Sequence, residues 1–144
     1  MGSGISPVNG PLLLDTCAAM WIVAGNIPAR TIEALDRAHQ AGFTTYLSPI
    51  TAWEVGLLAS KGRFGSAYSP ERWFERILNY PNVALAQCSP AILIQACSLP
   101  GRLHKDPADR IMAATAREFG FTLVTRDDAL LDYGRQGYLS VLKC

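Results

Sequence analysis

Four segments of the chain open with the same signal, a small capping residue followed by proline: "SPITAWEVGLLASKG", "SPERWFERILNY", "SPAILIQACSL" and "DPADRIMAATAREFG". The side-chain oxygen of Ser or Asp can accept from the free N–H groups of a first helical turn, and a proline just after it gives up no helical bond. Each segment therefore predicts a helix with a fixed start. Around them lie short runs rich in apolar, β-branched and aromatic residues, "PLLLD", "FTTYLS", "NVALA", "FTLVT" and "YLSVLK", which read as strands. Helices are also predicted over "CAAMWIVAG", over "ARTIEALDRAHQAG" with an apolar face on Ile32, Leu35 and Ala38, and over the short "RDDALLDYG". Strands alternating with helices in this way predict an α/β fold, with a central, mainly parallel sheet of four or five strands between helical layers.

A chain of 144 residues is long enough to bury an ordinary core, and a hydrophobic content of 49 % argues for packing rather than disorder. Its apolar runs fall well short of the ~18 residues of a membrane span. The start, "MGSGISPVNG", lacks a basic region followed by a long apolar one. We read residues 1–10 as a flexible tail, although Gly2 and Ser6 fit a short myristoylation pattern, and 11–144 as a single domain. Cys17, Cys88, Cys97 and Cys144 form no C-x-x-C pair, so the expectation is reduced, mostly buried thiols in a cytoplasmic protein. A net charge of +1 confines any nucleic-acid footprint to a local basic surface.

In open parallel sheets, functional groups gather beyond the carboxyl ends of the strands. Asp15 ends the first strand in "LLLDT", Asp127 follows the fourth in "LVTRDD", and Asp109 lies in the first turn of the helix before that strand. Glu54 shares the face expected to bury Ile50, Trp53, Leu57 and Leu58, with no cation at the neighbouring helical spacings. An unpaired carboxylate is costly to bury, so Glu54 must reach water, find a partner or line a cleft. Plainer readings stand beside these. Asp15 could cap the helix after it; Asp106 fits an N-cap, with Pro107 at N1 and Asp109 as a reciprocal partner. One of Asp127 and Asp128 is expected to cap the short helix, leaving the other free.

Taken together, four acids from separate segments at one end of a sheet would repel each other unless a cation neutralised them. No histidine or cysteine cluster accompanies them, and oxygen ligands favour Mg²⁺ or Mn²⁺. Such ions engage phosphates, which points to phosphodiester hydrolysis. Thr125 and Ser48 could orient bound water, or serve as ordinary strand-end hydroxyls.

In this order, "LLLDT", "SPITAWEVGLLASKGRF", "HKDPADRIMAATA" and "TLVTRDDAL" closely resemble the PIN-domain nucleases, VapC-type toxins of toxin–antitoxin pairs in particular, over nearly the whole chain from Leu12. The resemblance implies a three-layer PIN-like fold and a magnesium- or manganese-dependent endoribonuclease. Its catalytic and metal-binding acids would be Asp15, Glu54, Asp109 and Asp127, with Asp106 as helper or cap. Asp128 would exchange with Asp127 if the loop shifted by one residue. The family also implies a homodimer and a small antitoxin whose C-terminal segment covers the acidic pocket. Ala108 stands where related sequences often carry phenylalanine, and the segment before "LLLD" is longer than in many members; neither removes an acid.

Lys61, Arg63, His104, Lys105 and Arg110 then become candidates for phosphate contacts to RNA, against a plainer reading as solvated charges or helix-end cations. Two rival functions remain. One is a non-catalytic PIN-like RNA-binding or scaffold module, which the presence of all four acids disfavours. The other is a phosphoryl-accepting signalling module, for which "LLLDT" has one acid too few and "LVTRDD" lacks the lysine.

Overall fold

The structure, a computed structural model, describes residues 10–144. The expected tail and the myristoylation pattern fall almost wholly on residues 1–9, outside the described part. The elements run β1 (Leu12–Leu14), α1 (Thr16–Ala24), α2 (Ala29–Gln40), β2 (Thr45–Leu47), α3 (Pro49–Ser60), α4 (Pro70–Leu78) and β3 (Val83–Leu85). They continue with α5 (Pro90–Ala96), α6 (Pro107–Phe119), β4 (Thr122–Thr125), α7 (Asp128–Arg135) and β5 (Ser140–Lys143). The five strands form one sheet in the order β3-β2-β1-β4-β5, and every neighbouring pair is parallel. The chain first moves outward from β1 to β2 and β3, then returns to place β4 on the other side of β1. That reversal makes the carboxyl ends of β1 and β4 the switch point of the sheet, where a crevice opens.

Successive strand residues point to opposite faces, and the two faces carry separate cores. Leu12, Leu14, Leu47 and Val124 pack under α1 to α4 through Ala18, Ala19, Ala38, Val55, Trp73 and Ile77. Leu13 and Leu123 face the other way, against Met112, Ala113 and Ala116 of α6 and Leu130 and Tyr133 of α7. Helix α5 lies outside α6, joined through Ile92, Ala96 and Ala114. The result is three layers, helices on both sides of a parallel sheet.

All four proline-started helices begin where the sequence predicts. The side chains of Ser48, Ser69 and Ser89 accept from the backbone N–H groups of Ile50, Arg72 and Ile92, and Asp106 accepts from those of Ala108 and Asp109. Such a cap is worth about 1 kcal/mol. Ser48 is thus a fully buried cap.

Three expectations about burial are corrected. In α3 the core side is Thr51 and Val55, while Trp53 is 57 % exposed. In α2 it is Thr31, Ala34 and Ala38, with Ile32 turned outward. Helix α3 carries apolar residues on several sides, so tertiary contacts set its roll, whereas α2 has one apolar side and Ile32 lies at its edge. The thiols are not mostly buried: Cys144 is, but Cys88 is half-buried, Cys97 ends α5 in solvent, and Cys17 sits on an open face of α1.

Candidate active site

The crevice at the switch point is a cleft of about 450 Å³ lined by Asp15, Glu54, Asp106, Asp109 and Asp127. Its other walls are Thr16, Cys17, Met20 and Trp21 of α1, Leu57 and Leu58 of α3, and Arg126. The acids come from five places in the chain: the end of β1, the middle of α3, the cap and first turn of α6, and the loop after β4. Glu54, Leu57 and Leu58 do share one helical face, as their spacing predicts, but that face lines the cleft rather than the core.

Each acid is held by specific partners. Asp15 occupies the cap position of α1, yet its side chain makes no cap bond; Oδ2 instead accepts from Thr125 Oγ1 at 2.7 Å across the β1–β4 seam. The same Thr125 oxygen accepts from the Asp127 backbone N–H at 3.0 Å. With its only proton given to Asp15, Thr125 has none for a water; it positions two acids. Thr16 Oγ1 donates to Glu54 Oε1 at 2.5 Å and lies 2.9 Å from Thr51 Oγ1. Because the Thr16 proton goes to Glu54, Thr51 is the donor in that second bond. This Thr51–Thr16–Glu54 relay is the partner a part-buried glutamate required.

The Asp127/Asp128 ambiguity resolves in a way the sequence did not suggest. Asp127 Oδ2 caps α7 by accepting from Leu130 N at 2.9 Å, and the same side chain lines the cleft. Asp128 is exposed and stands outside the cleft. One residue does both jobs. Asp106 Oδ1 accepts from Ala108 N at 3.0 Å and Asp109 N at 3.3 Å, so it builds the turn. Asp109 returns no capping bond; its carboxylate meets His104 Nε2 at 3.0 Å, with Asp127 Oδ2 3.9 Å from the same nitrogen.

The electrostatics follow from this crowding. Burial pushes the Asp109 carboxyl up to about 8, and the negative charges of Asp15, Asp106, Asp127 and Glu54 add to the effect. Burial also raises Asp15 above the ordinary carboxylate range, against the Thr125 hydroxyl and the Thr16 backbone bond, with Asp127 and Asp106 pushing it further. Glu54 is raised by burial, opposed by the Thr16 bond and assisted by Asp15 and Asp106. Desolvation and then the surrounding carboxylates push the Cys17 thiol up to about 11, so near neutral pH it stays protonated. The donor set is thus rich in carboxylate oxygens, which fits a hard divalent cation. Among the described residues, one group of three offers ligand atoms all within 4.8 Å of one another: His104, Asp106 and Asp109. Asp15, Glu54 and Asp127 line the same cleft beside this group.

The PIN domain family profile matches residues 12–136. The chain belongs to the PIN-domain family. A relative, Ribonuclease VapC22 of Mycobacterium tuberculosis, is 31 % identical over 119 residues, which cover 83 % of this chain and 88 % of that one. VapBC2 from Rickettsia felis, solved bound to a promoter DNA fragment, superposes with a TM-score of 0.68 at 17 % identity, covering 92 % of this chain and 98 % of that one. A toxin–antitoxin complex from Klebsiella pneumoniae gives 0.56 at 21 % identity, over 91 % and 95 %. These two structures share the PIN fold with this chain.

Among the basic candidates, Arg110 is part-buried: its Nε donates to the Ala96 carbonyl at the end of α5 at 2.7 Å and its Nη1 to the Leu103 carbonyl in the loop before α6 at 2.9 Å, so its guanidinium braces this part of the PIN domain. His104 lies on the exposed loop before α6, with its ring turned toward Asp109 and Asp127. Lys61, Arg63 and Lys105 are exposed and outside the cleft. Reasoning from sequence missed Arg126, whose guanidinium lies 3.6 Å over the Trp21 ring at the rim and donates to the Cys144 carbonyl at 2.9 Å. It missed Thr16 and Thr51 too; hydroxyls that act only through a neighbour leave no mark in residue type or spacing. Among the described residues, no lysine lines the cleft, whereas phosphoryl-accepting chemistry would need one.

Proposed function

We propose that this PIN domain is a ribonuclease, the toxin of a toxin–antitoxin pair, which hydrolyses RNA phosphodiester bonds endonucleolytically with the help of Mg²⁺ or Mn²⁺. The observation that carries the reading is the convergence of Asp15, Glu54, Asp109 and Asp127 on one cleft at the switch point, with Asp109 pushed up to about 8 by burial and like charge. The ribonuclease at 31 % identity supports the substrate class.

Asp15, Glu54, Asp109 and Asp127 would hold the cation. When bound, it supplies Lewis acidity toward a phosphodiester and makes water a nucleophile near neutral pH. The chain's own residues supply position. Thr125 fixes Asp15 and the Asp127 backbone across the strand seam, and Thr16 fixes Glu54. Arg126 at the rim adds a positive group that can meet a backbone phosphate. Lys61, Arg63 and Lys105 serve the RNA further out.

The partners follow from the same reading: RNA, a second copy of the chain and a small antitoxin covering the acidic cleft. Toxin–antitoxin complexes among the structural neighbours and the exposed Trp53 and Ile94 support the protein partners. Residues 11–144 act as the single nuclease domain, in the cytoplasm where the RNA is. Among the described residues, no helix is long and apolar enough to cross a membrane.

The test is cleavage of RNA by the purified protein. Activity should require added Mg²⁺ or Mn²⁺, stop with chelator, and fall by at least about 10²–10³-fold in a folded Asp15→Asn variant. Cleavage that survives both treatments would overturn the proposal.

A further inference from the structure

We infer that His104 is a direct nitrogen ligand to the divalent cation, beside Asp109. This rests on the divalent-cation reading of the cleft and goes beyond an acids-only site.

The geometry supports ligation without rearrangement. His104 Nε2 lies 3.0 Å from Asp109 Oδ2 and 3.9 Å from Asp127 Oδ2. Neighbouring ligands on an octahedral ion, each ~2.1 Å from the metal, stand about 3 Å apart. His104 and Asp109 already hold that spacing.

The loop that carries the imidazole is built and anchored. Arg110 Nη1 donates to the carbonyl of Leu103, and at 3.4 Å to that of His104 itself. Tyr133 donates its hydroxyl to the Pro100 carbonyl at 2.5 Å. Gly101, at φ +70°, lets the Tyr138 ring pack where a β-carbon would stand 2.3 Å from it. Three ties on a seven-residue approach to α6 are more than a solvent-facing histidine needs; a ligand held in place before the ion arrives is what such support provides. Nε2 ligation leaves the proton on Nδ1. A nitrogen in the set tilts preference from Mg²⁺ toward transition ions such as Mn²⁺.

The same distances would also suit a counter-ion that leaves when a cation binds, and the two roles differ in one readout. Mn²⁺ added to the intact protein is observed by pulsed electron paramagnetic resonance. The chain has two histidines, His39 and His104. Ligation predicts nitrogen modulation on bound Mn²⁺ that changes isotope pattern when histidine is ¹⁵N-labelled, a test needing no variant. It also predicts loss of that modulation in His104→Gln, which still binds Mn²⁺ but has lost its preference over Mg²⁺. Bound Mn²⁺ without nitrogen modulation, or modulation that persists in His104→Gln, would overturn the ligand role while leaving the acidic site intact. Failure of wild type to bind Mn²⁺ or Mg²⁺ would overturn the cation reading, and this inference with it.

Discussion

The two halves of α6 obey opposite rules. From Met112 to Ala116 every residue is buried, and the helix packs on the sheet and on α5 with small side chains that leave no polar group unpaired; Thr115 bonds back to the Ile111 carbonyl at 2.7 Å. From Asp106 to Arg110 the same helix gathers like charge: a capping aspartate, a second raised to about 8, and an arginine consumed by loop carbonyls. One half contributes stability. The other spends it to keep carboxylates close together, a trade common where activity needs a strained arrangement.

Substitutions at the two halves should therefore separate. Asp109→Asn should give the largest effect, cutting RNA cleavage by about 10³-fold or more. It should also raise the thermal stability of the metal-free protein near pH 8, because asparagine carries no charge to repel. Met112→Ala, at the fully buried end, should cost roughly 2–5 kcal/mol in denaturant unfolding yet leave cleavage per folded molecule near wild type. If Asp109→Asn destabilised the metal-free fold, or Met112→Ala abolished cleavage in folded protein, the division of the helix would fail. Arg110→Met should fall between, losing about 1–3 kcal/mol as buried carbonyls lose their donor, with cleavage weakened because the His104 loop loosens. Asp106→Ser should change least. Serine also caps, so stability should hold to within about 0.5 kcal/mol and most cleavage should persist.

Much of this was legible in the residues. Proline after a capping side chain located four helices, and short apolar runs located the strands, because both signals are local. Asp15, Asp109 and Asp127 could be placed at one end of the sheet because strand order and strand direction suffice for that. What could not be read depends on contacts across the fold. Trp53 and Val55 look alike as apolar residues of α3, and only packing against α1 and α4 selects Val55 for the core. Arg110 looks like a surface cation until the Ala96 and Leu103 carbonyls come within reach. His104 has no partner at any regular spacing; a loop with a left-handed glycine turns it toward Asp109 and Asp127.

The central claim is that the cleft is an acidic cluster held against its own repulsion and relieved by a divalent cation. Thermal unfolding across pH, with and without Mg²⁺, tests it directly. The folded-state Asp109 carboxyl sits at about 8, above its ordinary 3.8, so its contribution to stability is fully present below about pH 4 and is lost as pH rises through 8. Asp15 and Glu54, raised in the same direction, act with it. The metal-free wild type should melt progressively lower from pH 4 to 8, Mg²⁺ should restore the loss most at the alkaline end, and Asp109→Asn should flatten both trends. A melting temperature that is level or rising across that range without metal, and indifferent to Mg²⁺ at pH 8, would contradict the account.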